Sequence, residues 1–299
     1  MADTKIQWAD MVWNPITGCT PTESPGCANC YAARFAKRFR GRFGYPLDDP
    51  FTPGTFHPGK LDEPLRWKKP RLIFVVSMGD LFHDEVSIQE IVKILWVIQE
   101  ANRHTYLFLT KRPERMHRVF YELSITSRFN FKNLWLGISV SNQDDLDRWG
   151  PVLMQMRPWA AKLIMSYEPA LGPVDFFPYL PRKWSYRVGR RIHREKDEGI
   201  DWIIVGGESG PGARPSHPDW FRSVRDQCQA AGVPFFFKQW GAWEITSHKT
   251  GKKYTWIDKN GKTFNTTAPL NQDCWAMAKV GKKAAGRMLD GRAWDEVPR

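Results

Sequence analysis

Three cysteines fall within twelve residues near the start of the chain, in the stretch Gly18-Cys19-Thr20-Pro21-Thr22-Glu23-Ser24-Pro25-Gly26-Cys27-Ala28-Asn29-Cys30-Tyr31. The spacing is C-x7-C-x2-C, and the other two cysteines, Cys228 and Cys274, are isolated. Three thiolates can hold a [4Fe–4S] cube through three of its irons and leave the fourth without a protein ligand. An open iron can be chelated by the amino and carboxylate groups of S-adenosylmethionine. An electron from the cluster can then cleave the sulfonium and release a 5′-deoxyadenosyl radical. Cys19, Cys27 and Cys30 are therefore the candidate metal ligands, with a [4Fe–4S] cluster and S-adenosylmethionine as the expected cofactors. A structural zinc ion completed by a distant His57, Cys228 or Cys274 would use the same thiols. Unmetallated thiols are the third reading. An odd cysteine count with three members clustered does not suit a disulfide framework.

Further polar groups follow apolar runs along the chain. Ser77 closes the run LIFVVS and Asp80 and His83 follow it, where a hydroxyl or carboxylate could meet the S-adenosylmethionine amino group. Lys111 and Arg112 come next and could meet a carboxylate or phosphate. Ser139, Ser141 and Asn142 could hold ribose hydroxyls, and Glu168 stands before Pro169. Gly206 and Gly207 would permit close backbone approach to a ligand, with Glu208 beside them to bind a hydroxyl or amine. Lys238, Gln239 and Trp240 follow the last apolar run, and Trp240 could stack on an adenine or a substrate base. Lys111, Glu168 and Lys238 are the candidate catalytic groups. Tyr31, Ser77, Asp80, Ser139, Ser141, Gly206, Gly207, Glu208 and Trp240 are the candidate cofactor-binding groups. Each of them could instead cap a helix or pair with a neighbour, as Ser87 or Asp144 would.

These groups need elements that bring them together. Short apolar runs alternate with helix-length segments, which predicts parallel strands joined by crossover helices. Strands are expected at Met11–Trp13, Leu72–Ser77, Tyr106–Thr110, Leu134–Val140, Lys162–Ser166, Trp202–Gly206 and Pro234–Lys238. Helices are expected at Ala28–Phe39, Ser87–Asn102, Pro113–Leu123, Gln143–Met156 and Pro218–Ala231, the last closing at Gly232. No Gly-x-Gly-x-x-Gly follows the first strand. The fold expected is α/β: a partial (β/α)6–7 TIM-type barrel over residues 1–240, with functional groups at the C-terminal strand ends. Residues 241–299 read as a small extension with β character packed on the barrel. Asp48–Pro70 reads as a long loop, a lid or packing strap. Pro181–Gly199 carries seven Lys/Arg against three acids. It reads either as a basic surface excursion that could meet phosphates or as a merely solvated loop or helix.

The 299-residue chain has a formal net charge of +12. That balance favours a polyanionic partner, nucleic acid first, although an ordinary basic surface gives the same number. No apolar stretch is long enough to span a bilayer, and no signal-peptide pattern opens the chain. A cytoplasmic setting without membrane contact is expected.

The motifs GCTPTESPGCANCYA, SMGDLFH, LTKRPE, LGISVSN, SYEPALGPV, GGESGPGARP, FFFKQWG and AGRMLDGRAWDEVP together resemble the phage-associated three-cysteine-motif proteins. That family is similar to radical S-adenosylmethionine enzymes, nearest the spore photoproduct lyase group. The usual radical enzyme spacing is C-x3-C-x2-C, so the first interval here is four residues longer. The resemblance implies a barrel, and a cluster on Cys19, Cys27 and Cys30. It brings no known substrate. The leading expectation is an enzyme acting on nucleic acid or a nucleotide, with a flavodoxin or ferredoxin as electron donor. A nucleic-acid-binding protein stapled by a metal is the second expectation. A component of a phage modification or defence system, working with a partner protein, is the third.

Overall fold

The structure is a computed structural model that describes residues 4, 6–126, 131–188, 191–196, 198–246, 254–265 and 273–298. Seven strands form one sheet in chain order: β1 Met11–Trp13, β2 Leu72–Val75, β3 Thr105–Thr110, β4 Leu134–Val140, β5 Lys162–Tyr167, β6 Trp202–Gly206 and β7 Phe235–Gln239. Every neighbouring pair is parallel. Each strand lies beside its predecessor, as in a barrel wall, and the sheet curls into a half-barrel flanked by helices. Runs such as LWLGISV and WIIVG are almost wholly apolar because both faces of a parallel sheet are covered.

Five helices supply most crossovers: α1 Tyr31–Arg38, α2 Ile88–Glu100, α3 Pro113–Thr126, α4 Gln143–Met154 and α5 Pro218–Ala231. Their starts are written locally. Ser87 and Glu90 form a reciprocal capping box on α2. The Asn142 side chain, not Asp144, caps α4 by accepting from the Asp145 N–H. The α5 helix stops at Gly232, whose φ of 68° suits glycine.

Strand alternation splits the core in two. One set of strand side chains, including Ile73, Phe108, Ile138, Met165 and Phe237, packs outward with the helices. The other set, including Phe74, Leu107, Trp135, Ile164, Trp202 and Phe236, packs inside the curl with Trp8. Trp202 stands edge-on to Trp8, Trp135 and Phe236 at ring distances of 6.0–6.1 Å. These rings fill the inside of the half-barrel below its C-terminal mouth and use three of the chain's 15 tryptophans.

Two crossovers depart from the expected rhythm. The segment expected as a lid or strap is a strap. Its Thr55–Phe56 pairs with Ile16–Thr17, the His57 N–H reaches the Pro15 carbonyl at 2.7 Å, and a short helix follows at Glu63–Arg66. The basic excursion is neither loop nor helix: Lys183–Val188 and Arg191–Lys196 form an antiparallel hairpin. The run Lys-Trp-Ser-Tyr-Arg-Val alternates charged or polar with apolar residues, the period of a strand, which the charge count concealed. Among the described residues no α-helix joins β5 to β6, and the hairpin takes that place in the chain.

The C-terminal residues build a second, antiparallel sheet from β8 Trp243–Ile245, β9 Tyr254–Asp258, β10 Thr263–Phe264 and β11 Cys274–Lys279, in the order β8-β11-β9-β10. The chain then returns along β7. The Phe237 N–H donates to the Trp294 carbonyl at 2.9 Å, and Phe236 bridges Asp295 in antiparallel sense. The tail thereby covers the edge that β7 would leave open. Among the described residues no helix is long and apolar enough to cross a membrane.

Candidate functional site at the mouth of the half-barrel

The cysteine loop starts from a junction that only glycine fits. Gly18 has φ +89°, and a Cβ on it would lie 1.8 Å from the Thr52 carbonyl oxygen. Its N–H donates to the Met78 carbonyl at 3.0 Å, and Gly79 packs against it so closely that a Cβ there would lie 2.6 Å from the Gly18 oxygen. Cys19 follows at once. Ser24 caps the tight turn Pro25–Cys27, and Cys30 is the residue before α1.

From this root the loop crosses the C-terminal strand ends and is tied down beyond β2, β3, β4 and β6. At β3, Arg112 donates to the Cys19 Sγ at 3.2 Å, to Asp80 at 3.2 Å and to the Thr20 carbonyl at 2.9 Å. Asp80 also accepts from the Thr110 hydroxyl and from the Phe82 and Lys111 N–H groups. At β4, the Ser24 hydroxyl donates to Asp145 at 2.6 Å, and the same carboxylate accepts the Ser141 N–H at 2.8 Å. At β6, Glu208 accepts from Asn29 at 3.1 Å and from Arg214 at 2.6 Å, while Arg214 also donates to the Pro25 carbonyl at 2.9 Å. Beyond β2, the Tyr31 hydroxyl donates to the Ser77 carbonyl, and the Ser77 hydroxyl donates to the Asn14 side-chain oxygen at 3.2 Å.

Electrostatics follow from these ties. Burial pushes the Cys19 thiol up to about 11, and the Asp80 carboxylate adds to this; Arg112 works the other way. Burial alone would raise Glu208 too, but its hydrogen bonds from Arg214 outweigh that and hold it below its ordinary value of 4.5. Burial opposes the charge of Arg112, yet Asp80 and Cys19 outweigh it and raise its pKa.

A second group lies on the inward face of the strands, below the loop. Lys111 Nζ donates to the Ser139 hydroxyl at 2.9 Å, and Ser139 donates to the Glu168 carbonyl at 3.2 Å. The Glu168 carboxylate takes Lys238 Nζ at 2.7 and 2.8 Å. A Cβ on Gly206 would lie 3.1 Å from the same carboxylate. Lys282, from the C-terminal residues, feels both members of the pair: burial lowers its pKa first, then the charge on Lys238, with Glu168 opposing. The three expected catalytic residues thus share one polar row. Lys238 and Ser139 sit within their strands rather than after them.

Other expected site residues have different surroundings. Trp240 is buried between Phe221 and Phe237, and its indole N–H donates to the Met288 carbonyl at 2.8 Å. It is packed as core and offers no open face for a base. The space beside Gly207 is filled by the Trp240 carbonyl, 2.0 Å from where a Cβ would stand. The glycine therefore serves chain packing at that point. Asp80, Ser141 and Glu208 hold the cysteine loop in place. Asn14, Ser24, Asn29, Arg112, Asp145, Arg214 and Lys282 complete the mouth. Of these only Arg112 stood out in the sequence, as the neighbour of Lys111.

The three thiols fit an iron–sulfur donor set in their chemistry. None is in a disulfide, all are partly exposed, and charge on Cys27 is felt at Cys19. Arg112 sets a cation 3.2 Å from the Cys19 sulfur, where it would offset the charge of a ligating thiolate. A single zinc ion would need its sulfurs about 2.3 Å from one centre. Among the described residues no three His, Cys, Asp or Glu side chains are gathered tightly enough to hold one metal ion. His57, a candidate fourth zinc ligand, is hydrogen-bonded to the Thr17 hydroxyl at 2.8 Å instead. Burial, then Lys60, lowers its pKa to about 4. Cys228 is buried within α5.

Compared with known proteins, residues 3–298 match the family described as Protein of unknown function (DUF5131). The chain belongs to that family. No curated protein and no solved structure matches it.

Proposed function

We propose that this DUF5131 chain is a radical S-adenosylmethionine-type iron–sulfur enzyme of the cytoplasm that acts on nucleic acid or a nucleotide. One observation carries the reading. Three unpaired thiols stand on a loop that crosses the C-terminal mouth of a parallel half-barrel, above an inward row of ionisable groups. Cys19, Cys27 and Cys30 would hold a [4Fe–4S] cluster which, when bound, supplies the open iron that chelates S-adenosylmethionine and the electron that cleaves its sulfonium. The chain's own residues do the rest. Lys111 and Lys238 bracket the inward row and present ammonium groups to a carboxylate or phosphate. Glu168 holds Lys238 in position, and Lys282 adds a third cation nearby. The Trp8–Trp202 plug closes the floor, so a substrate enters from the loop side. A flavodoxin or ferredoxin would deliver the electron.

Anaerobic reconstitution tests this. The expected result is about four iron and four sulfide per chain, lost when Cys30→Ser removes one ligand, and a reduced-cluster EPR signal that changes on adding S-adenosylmethionine. A loaded cluster indifferent to S-adenosylmethionine would contradict the enzyme reading. Zinc in place of iron, with nucleic-acid binding retained, would favour a metal-stapled binding protein.

A further inference from the structure

We infer that α1 and the turn after it, residues 31–47, form a track for single-stranded nucleic acid that leads to the cysteine loop. The inference rests on the nucleic-acid half of the proposed function and names the surface that would receive the strand.

Apolar exposure is concentrated here. Among the described residues eleven large hydrophobic side chains are exposed, and four of them, Tyr31, Phe35, Phe43 and Leu47, lie in this stretch. Phe43 is 71% exposed. Tyr31, Phe35 and Phe39 recur every fourth residue on one helix face, about 6 Å apart along the axis. Phe35 stacks on Phe39 at 6.3 Å, and Phe39 meets Phe43 edge-on at 5.6 Å. Buried Tyr45 anchors this ladder through Phe39 at 5.5 Å.

The charge on the same stretch has one sign. Residues 24–47 hold Arg34, Lys37, Arg38, Arg40 and Arg42 and no acid. Arg34 and Arg40 donate to the Ser209 and Leu47 backbone carbonyls, not to carboxylates. Elsewhere arginines are neutralised: Arg222 and Arg225 share Asp290. Lys37, Arg38, Arg40 and Arg42 are exposed. Arg34 and Arg38 follow Tyr31 and Phe35 by three residues, so a row of cations flanks the row of rings, and the Arg38 guanidinium lies 5.5 Å from the Phe35 ring centre.

A surface that offers ring faces and cations together fits a ligand with π-faces and phosphates in alternation. Single-stranded nucleic acid is that ligand, whereas a duplex hides its bases. The helix begins directly after Cys30, so a strand on this track ends at the mouth.

Fluorescence anisotropy with the full chain, a labelled 20-nucleotide oligothymidine and a duplex of equal length tests the track across a salt series. No cluster, S-adenosylmethionine or reductant is needed. Single-strand binding is expected to exceed duplex binding. The double variant Phe35→Ala/Phe43→Ala should weaken it about tenfold or more with the salt slope unchanged. Lys37→Ala/Arg38→Ala should instead reduce the slope, by about 0.7 for each phosphate contact removed. Variants that bind as the parent does would overturn the inference. So would a chain that ignores the oligonucleotide, including one that binds anionic phospholipid vesicles instead. Binding that persists in a chain unable to cleave S-adenosylmethionine supports the track and sinks only the radical chemistry. Cleavage without oligonucleotide binding does the reverse.

Discussion

At the scale of single residues the mouth divides into two kinds of polar group. Lys111, Ser139, Glu168 and Lys238 face inward and touch one another in sequence. Asp80, Asp145 and Glu208 are occupied in holding the loop. The positions of the first kind were readable because each lies at or just beyond the C-terminal part of an apolar strand. The contacts of the second were not. The Ser24–Asp145 and Asn29–Glu208 bonds join residues 121 and 179 positions apart, which no local pattern announces. Trp240 misled for a related reason, since an indole after a strand reads alike whether it meets solvent or core. Two predictions belong here. Glu168→Gln should leave iron loading unchanged while 5′-deoxyadenosine yield falls about tenfold or more; an unchanged yield would remove the inward row from the chemistry. Glu208→Gln should cost about 2 kcal/mol at neutral pH, by loss of the charged bonds to Arg214. The folded Glu208 titrates below its ordinary 4.5, so its contribution is fully present above that pH and is lost as pH falls through the folded value. The gap in unfolding midpoint between parent and variant should therefore narrow as the pH falls below 4.5 and close once the folded carboxyl is protonated. A gap that stays constant with pH would show that the Arg214 pair does not supply it.

At the scale of elements the parallel strands were legible almost residue for residue, because buried strands are continuous apolar runs. The hairpin at Lys183–Lys196 was not, since its charge hid an alternation of period two. The strand Cys274–Lys279 was missed too. Its CWAMAK carries little strand character by itself and depends on pairing with Tyr254–Asp258. The cysteine loop owes its path to a junction rather than to its own sequence. Gly18 sets that path, because its φ of +89° and its contact with Thr52 leave no room for a side chain. Gly18→Ala should lower stability in urea by more than about 2 kcal/mol and reduce iron loading together. Full loading at parental stability would show that the root does not position the thiols.

At the scale of the whole molecule, the half-barrel has one edge covered by the C-terminal tail and, among the described residues, one crossover without an α-helix. The hairpin in that crossover is an excursion whose roots touch: a Cβ on Gly199 would lie 2.3 Å from the Pro181 nitrogen. Replacing residues 183–197 by a short Gly-Ser link should leave the thermal midpoint nearly unchanged, because the link need only join neighbouring points. A drop of more than about 8 °C would mean that the hairpin holds the half-barrel together. The central claim concerns what the mouth does with its three thiols. The most direct measurement is 5′-deoxyadenosine released by the anaerobically reconstituted full chain, given dithionite and S-adenosylmethionine. The account predicts its formation by the parent chain and none by the Cys30→Ser variant. A chain carrying about four iron and four sulfide that releases no 5′-deoxyadenosine would contradict it.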